Sequence, residues 1–207
     1  MSFKSHALHL YGKDGKRDYT RDQLLVYGLL EKEPIYFLVH HWPSRSGGQE
    51  RSEPNRMDAA ALNKHVVDSI LLKKPNAKII NMGDFNDDPT NKSLIEVLNA
   101  SSKRKQAIRN KSLYNPMTVF YKRGIGTSCY RDTWHVLDQI HVSPGLLGVN
   151  KSEWYFWKAG IYNKAFLVTK SGRYKGYPFR SFAAGRFTNG YSDHFPVYAY
   201  LIREGVD

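Results

Sequence analysis

Two short stretches hold side chains that can do chemistry together. Gly83-Asp84-Phe85-Asn86-Asp87-Asp88 sets three carboxylates and an amide in a turn directly after an apolar run, and Tyr191-Ser192-Asp193-His194 places an acid next to an imidazole just before the last apolar segment. Polar groups at the end of a core strand are costly to hold without partners. The first stretch is therefore a solvated turn, a metal site or a proton-transfer site. Asp84, Asp193 and the amide oxygen of Asn86 are hard donors that suit Mg²⁺. His194 and His41 are imidazoles able to move a proton near neutral pH, and Asp138 can hold one of them in a single tautomer. Alternation alone does not say whether His40 or His41 is directed at the site. The remaining histidines, His65 and His135 among them, read as surface or packing residues, and Asp87 and Asp88 as turn and capping groups.

The elements that must position these groups follow from hydrophobic pattern and breakers. Residues 78–82 are apolar and β-branched and read as a buried strand, stopped by Pro89, after which Thr90 caps a helix running to residue 99. Residues 24–30 and 35–41 read as strands joined by a turn at 31–34. A loop over 42–54 leads to a long helix over 53–74, with Met57, Ala61, Val66, Ile70 and Leu71 near helical spacing. Residues 101–111 are basic and read as a solvated loop or a phosphate-backbone contact. Residues 127–131 and 133–142 look like paired strands. Residues 153–169 are aromatic and strand-like, with Trp154 to Trp157 as packing rather than a base-stacking platform. A basic, glycine-rich loop covers 171–190, and residues 195–202 close the chain as a strand. Residues 1–22 read as a poorly ordered lead-in with one strand around 7–10, and residues 23–207 as a single domain. Strands in pairs with inserted helices argue for a layered mixed α/β domain.

Composition bounds the partners. Lys and Arg number 31 against 19 Asp and Glu, a net charge of +12, which attracts polyanions, nucleic acid above all, or anionic membrane faces. The alternative is that the charge serves solubility only. A single cysteine, Cys129, excludes an internal disulfide. No apolar run approaches the ~20 residues that cross a bilayer, and the first residues lack a signal-peptide core. The chain reads as a soluble protein that stays where it is made, in the cytoplasm by default.

Gly83 to Asn86 and Ser192 to His194 resemble hallmarks of the endonuclease/exonuclease/phosphatase family, the DNase I-like metal-dependent phosphodiesterases. Residues 37–45, with His41, look like that family's strand ending in a catalytic histidine. Residues 127–143, with Trp134 and Asp138-Gln139-Ile140, look like its later strand carrying a buried acid. The resemblance runs from about residue 20 to the C-terminus. It implies a four-layer α/β (α+β) sandwich of two packed, mostly antiparallel sheets flanked by helices. It also implies a hydrolase of phosphoesters or phosphodiesters, nuclease-like, dependent on Mg²⁺ or Mn²⁺. By this resemblance Asp138 pairs with His194, Asp84 and Asn86 orient water or bind metal, His41 contacts the scissile phosphate, and Asp193 is a metal ligand. The chemistry fits: a carboxylate-held divalent ion is a Lewis acid for phosphoryl oxygens.

One part of the family pattern is missing. Its members open with a strand bearing an Asn and then one bearing a metal-binding Glu, and nothing before Leu24 resembles either. The domain is therefore expected to be N-terminally truncated. One sheet should lack strands and expose an edge that favours self-association, and metal affinity should be weakened. Two alternatives stay open: a catalytically impaired remnant that binds polyanions, and a phosphodiesterase acting on phospholipids or small molecules.

Overall fold

The computed structural model describes residues 1–12, 14–148, 150–183 and 185–204. Five strands form one sheet in the order Ser2–His6, Gln23–Leu30, Glu33–His41, Lys78–Asp84, Asp138–Val142. Gln23–Leu30 and Glu33–His41 form a hairpin whose two-residue loop holds Glu31 and Lys32 at positive φ, the left-handed geometry that matches strand twist. Glu33–His41 and Lys78–Asp84 run parallel, because the helix Gln49–Lys73 carries the chain back between them. The other pairings are antiparallel.

The helix lays Ala59, Ala60, Val66, Val67 and Ile70 on one face of this sheet, against Leu38, Ile79 and Phe85. Small side chains at 59 and 60 let it lie close. On the opposite face, Ile35, Ile80, Ile140 and Val142 meet Phe156 and the half-buried Val197, Ala199 and Leu201. These last residues belong to a second, two-stranded antiparallel sheet, Tyr155–Ile161 with Val197–Ile202. The result is the expected α/β sandwich of two packed sheets. The outer face of the smaller sheet carries the exposed rings of Trp157, Tyr198 and Tyr200. Among the described residues no helix is long and apolar enough to cross a membrane.

Several local expectations are corrected. The opening segment is ordered into the edge strand Ser2–His6 and a ribbon of Leu10–Tyr11 with Arg17–Asp18, and Leu8 and Leu10 are buried. The long helix starts at Gln49, with Pro54 inside it. The Arg56 guanidinium holds that start, donating to Gln49 O (3.1 Å), Ser44 O (3.4 Å) and Ser52 Oγ (2.8 Å). Its core face is also shifted, since Ala61 is exposed. The helix expected over 90–99 is a short π-helical turn, Ser93–Val97, without a side-chain cap. Ile95, within this turn, is exposed. Basic residues 104–110 form the helix Arg104–Asn110 rather than a loop, because Ala107 is buried and Arg104 donates to Leu147 O (3.1 Å) and Phe156 O (3.5 Å). The span 133–142 is two strands. Thr133–His135 pairs with Ser128–Tyr130, and Asp138–Val142 joins the main sheet. Residues 205–207, the end of the expected domain, lie outside the described residues.

A buried polar network crosses the core beneath the strand ends. His40 Nε2 donates to Asn81 Oδ1. Asn81 Nδ2 donates to Asn63 Oδ1 and His141 Nδ1 (both 3.1 Å), and His141 Nε2 donates to Gln139 Oε1 (3.1 Å). Gln139 Nε2 ends the chain on Asp87 O (2.7 Å). Every member is buried, and the pattern requires a neutral His141, since a proton on its Nδ1 would face the Asn81 amide N–H. Burial holds His40 down at about 4, against the opposing Asn81 bond. Burial and then the neighbouring His40 hold His141 at about 3. Both sit below their unfolded value, so the stability they confer is complete above about pH 6.5 and is lost as pH falls toward 4 and then 3. Urea unfolding at pH 7 and at pH 5.5 should differ by about 2 kcal/mol, with lower stability in acid. Equal midpoints would show the imidazoles are not held neutral.

Candidate active site

Strand register assembles the site. His41 lies opposite Asp84 across the parallel pairing, and Asp84 lies opposite Asp138 across the antiparallel one. Three chemical side chains from distant parts of the sequence therefore stand abreast at one end of the sheet. Gly83 makes this possible. It has φ 143°, and a Cβ there would sit 2.1 Å from His40 O, so only glycine allows the two strands this approach.

His194 arrives from the loop before Val197–Ile202. Its Nδ1 donates to Asp138 Oδ2 at 2.7 Å and lies 4.0 Å from Asp84 Oδ2. His41 Nε2 is 3.5 Å from the same Asp84 oxygen. Burial alone would lower the His194 pKa, but the Asp138 bond and the charges of Asp138, Asp84 and Asp193 raise it to about 8. Burial and then the Asp138 charge push Asp84 upward, against the Asn86 N–H and the two imidazoles. With Nδ1 committed to Asp138, Nε2 of His194 is the atom left to exchange a proton.

The sequence-derived candidates separate into two groups. His41, Asp84, Asp138 and His194 are brought together. His40, by contrast, turns into the buried network. Asn86 and Asp193 lie beside this set. Asn86, at φ 50°, donates its backbone N–H to Asp84 Oδ1 (2.8 Å) and its side-chain Nδ2 to Trp42 O (3.0 Å), so it shapes the turn that presents Asp84. Asp193 is exposed and lies outside the one cluster of metal-capable groups found among the described residues, Asp84, Asp138 and His194, whose ligand atoms all lie within 4.8 Å of one another.

That cluster fits a divalent cation. Asp84 supplies a hard oxygen, and burial first, then the neighbouring Asp138 charge, push its pKa upward, a cost that a bound cation would relieve. A cleft of about 670 Å³, lined by Tyr19, Arg21, Ser44, Arg51 and Asn55 among others, includes none of these residues.

Sequence reasoning missed the supports. Asp87 is fully buried and forms an ion pair with fully buried Arg56, Oδ1 to Nε 2.7 Å. It also accepts from Ser93 Oγ (2.6 Å) and Gln49 Nε2 (2.8 Å). Asp88 accepts from His135 Nδ1 (2.7 Å), Val136 N–H (2.8 Å) and Arg45 Nη2 (3.1 Å). Burial would raise the Asp88 pKa, but these partners hold it below the usual carboxylate range. Arg45 Nε further donates to Asn86 O (2.7 Å). Asp87 and Asp88 are thus anchors of the site loop rather than caps, and His135 is a hydrogen-bond partner of Asp88 rather than a packing residue. Adjacent acids after Gly83-Asp84-Phe85-Asn86, with arginines four and fifteen residues beyond His41, were the available signal.

The fold and this constellation define a scaffold of two packed sheets with the candidate site at the strand ends. The model of the endonuclease/exonuclease/phosphatase family matches residues 1–203, and the chain belongs to that family. No curated protein sequence matches it. Among solved structures, truncated TDP2 from Caenorhabditis elegans is 12% identical with a TM-score of 0.59, covering 98% of this chain and 65% of that one. TDP2 from D. rerio complexed with single strand DNA product is 12% identical with a TM-score of 0.54, covering 97% and 67%. The mannosyl-6-phosphatase Bt3783 of Bacteroides thetaiotaomicron VPI-5482 is 17% identical with a TM-score of 0.50, covering 97% and 67%. These are likenesses of fold, and the present chain spans about two thirds of the length of each.

Proposed function

We propose that the chain is a divalent-metal-dependent hydrolase of phosphoesters or phosphodiesters, with nuclease-like activity. The observation that carries this reading is the abreast set Asp84, Asp138 and His194, with His41 beside Asp84, in a member of this family. Asp84 would hold Mg²⁺ or Mn²⁺, with exposed Asp193 as a further carboxylate at the rim, while Asp138 serves through His194. When bound, such an ion supplies Lewis-acid stabilisation of phosphoryl oxygens. His194, oriented through Nδ1 by Asp138, takes or gives a proton at Nε2. His41, on the open side of Asp84, meets the substrate phosphate. Asn86 and Arg45 hold the turn that presents Asp84.

The net charge of +12 favours nucleic acid as the phosphodiester, and the relative bound to single strand DNA product supports that choice. The same charge favours a second reading, a chain that binds polyanions without turning them over. Incubation with supercoiled plasmid, an RNA oligonucleotide and an aryl phosphomonoester, each in Mg²⁺, Mn²⁺ and EDTA, separates the two. Metal-dependent cleavage of a nucleic acid is expected. Salt-sensitive binding with no cleavage of any substrate would favour the second reading.

A further inference from the structure

The segment leading into His194 has a composition unlike the rest of the chain. Between Glu153 and Asp193 there is no acidic residue, while Lys164, Lys170, Arg173, Lys175, Arg180 and Arg186 are spread through it. Aromatic residues interleave with these cations, and several are left in solvent. Tyr162 is 40%, Phe166 50% and Tyr191 61% exposed. An exposed aromatic is unremarkable singly; a contiguous row of them is a binding surface.

These three rings form such a row. Tyr191 and Phe166 have centroids 5.7 Å apart, and Phe166 and Tyr162 6.3 Å apart, each pair edge to face. The row begins three residues before His194, a reach of at most about 11 Å along the chain. Its backbone is fixed. Tyr191 N–H donates to Phe179 O (2.6 Å), Phe179 N–H to Leu167 O (2.7 Å) and Tyr162 N–H to Pro196 O (2.7 Å). Lys164 Nζ lies 6.0 Å from the Tyr162 ring centre. Rings left partly in solvent, in a segment that carries cations and no acid of its own between Glu153 and Asp193, are what an unpaired polynucleotide needs: π-surfaces for its bases and positive charge for its phosphates. A duplex keeps its base faces stacked on each other and cannot use the rings.

We infer that Tyr191, Phe166 and Tyr162 form a stacking row for single-stranded nucleic acid that leads the strand into the Asp84–Asp138–His194 site. This rests on the proposed hydrolase reading for what happens at the end of the row, but binding itself does not require turnover. The test is fluorescence anisotropy of labelled oligothymidylate, oligouridylate, an abasic strand with the same number of phosphates, and a duplex, all in EDTA. Both base-bearing single strands should bind at least about five-fold more tightly than the abasic strand and the duplex. Phe166→Ala and Tyr191→Ala should each weaken binding about five-fold or more, the equivalent of ~1 kcal/mol per lost stack, and Phe166→Trp should restore it. Preference for one sugar would assign the source as DNA or RNA. Equal binding of the abasic strand, or alanine variants that bind as wild type, would overturn the inference. So would capture by anionic vesicles that the same variants abolish, which would make the row a membrane contact. Because the assay contains EDTA, a chain that binds but never hydrolyses counts against the hydrolase reading and not against the stacking row.

Discussion

His194→Ala should lower metal-supported hydrolysis of an aryl phosphodiester by about 10²- to 10⁴-fold, the usual worth of a positioned general acid or base. The case rests on how the imidazole is held. It is largely buried, bonded through Nδ1 to Asp138 at 2.7 Å, and raised to about 8 by that bond and by the surrounding carboxylates. A group titrating near neutral pH from a fixed position is suited to proton transfer. Asp138→Asn keeps an acceptor in place but removes the charge, so it should cost less than loss of the imidazole. The double variant Asp138→Asn/His194→Ala should be no slower than His194→Ala alone, because residues acting as one unit are non-additive. Additive losses would show that Asp138 serves the reaction through something other than His194. The measurement is kcat at saturating Mn²⁺, on variants whose unfolding midpoints match wild type.

The second large effect is on stability. Arg56→Met should destabilise the chain by about 3–5 kcal/mol, because it strands the Asp87 carboxylate in a site without solvent. Both partners are fully buried. Arg56 also satisfies carbonyls at the start of the long helix, while Asp87 ties the turn after Asp84 to Ser93 and Gln49. The damage should therefore reach the site, and activity at a temperature where the variant remains folded should fall as well. The exposed pair Lys64–Asp68, four residues apart on the same helix, provides the contrast. Lys64→Ala should cost less than about 0.5 kcal/mol. Urea unfolding of both variants checks the comparison, and a difference of under about 1 kcal/mol between them would contradict the assignment of Arg56 as an anchor.

Much of this was legible in the sequence for a physical reason. Strands over 24–30, 35–41 and 78–82 declare themselves through β-branched and apolar runs, and the chemical groups sit at their ends, where a buried polar group demands an explanation. The register that puts His41, Asp84 and Asp138 abreast was not legible. It is set by the parallel crossover and by the contact of Gly83 with His40, neither of which has a local pattern. The choice between His40 and His41 is a matter of strand parity, which pairing decides. Arg56 and Asp87 are surface-type residues thirty-one positions apart, and nothing in either neighbourhood marks them as a buried pair. The helix start at Gln49 hides for a related reason. Pro54 signals a boundary, but the contacts that override it come from the side chain of Arg56. Asn86 was read for its amide oxygen, and its left-handed backbone, which shapes the turn, was not read.

The central claim is that Asp84, Asp138 and His194 form the active centre of a metal-dependent phosphoester hydrolase. Its most direct test is release of p-nitrophenolate from bis-p-nitrophenyl phosphate by the purified 207-residue chain in Mn²⁺ and in EDTA, with Asp84→Asn run beside it. Turnover in Mn²⁺ that disappears in EDTA and in Asp84→Asn is the predicted result. A folded chain without turnover in Mn²⁺ or Mg²⁺, or one whose turnover is unchanged by Asp84→Asn, would contradict it.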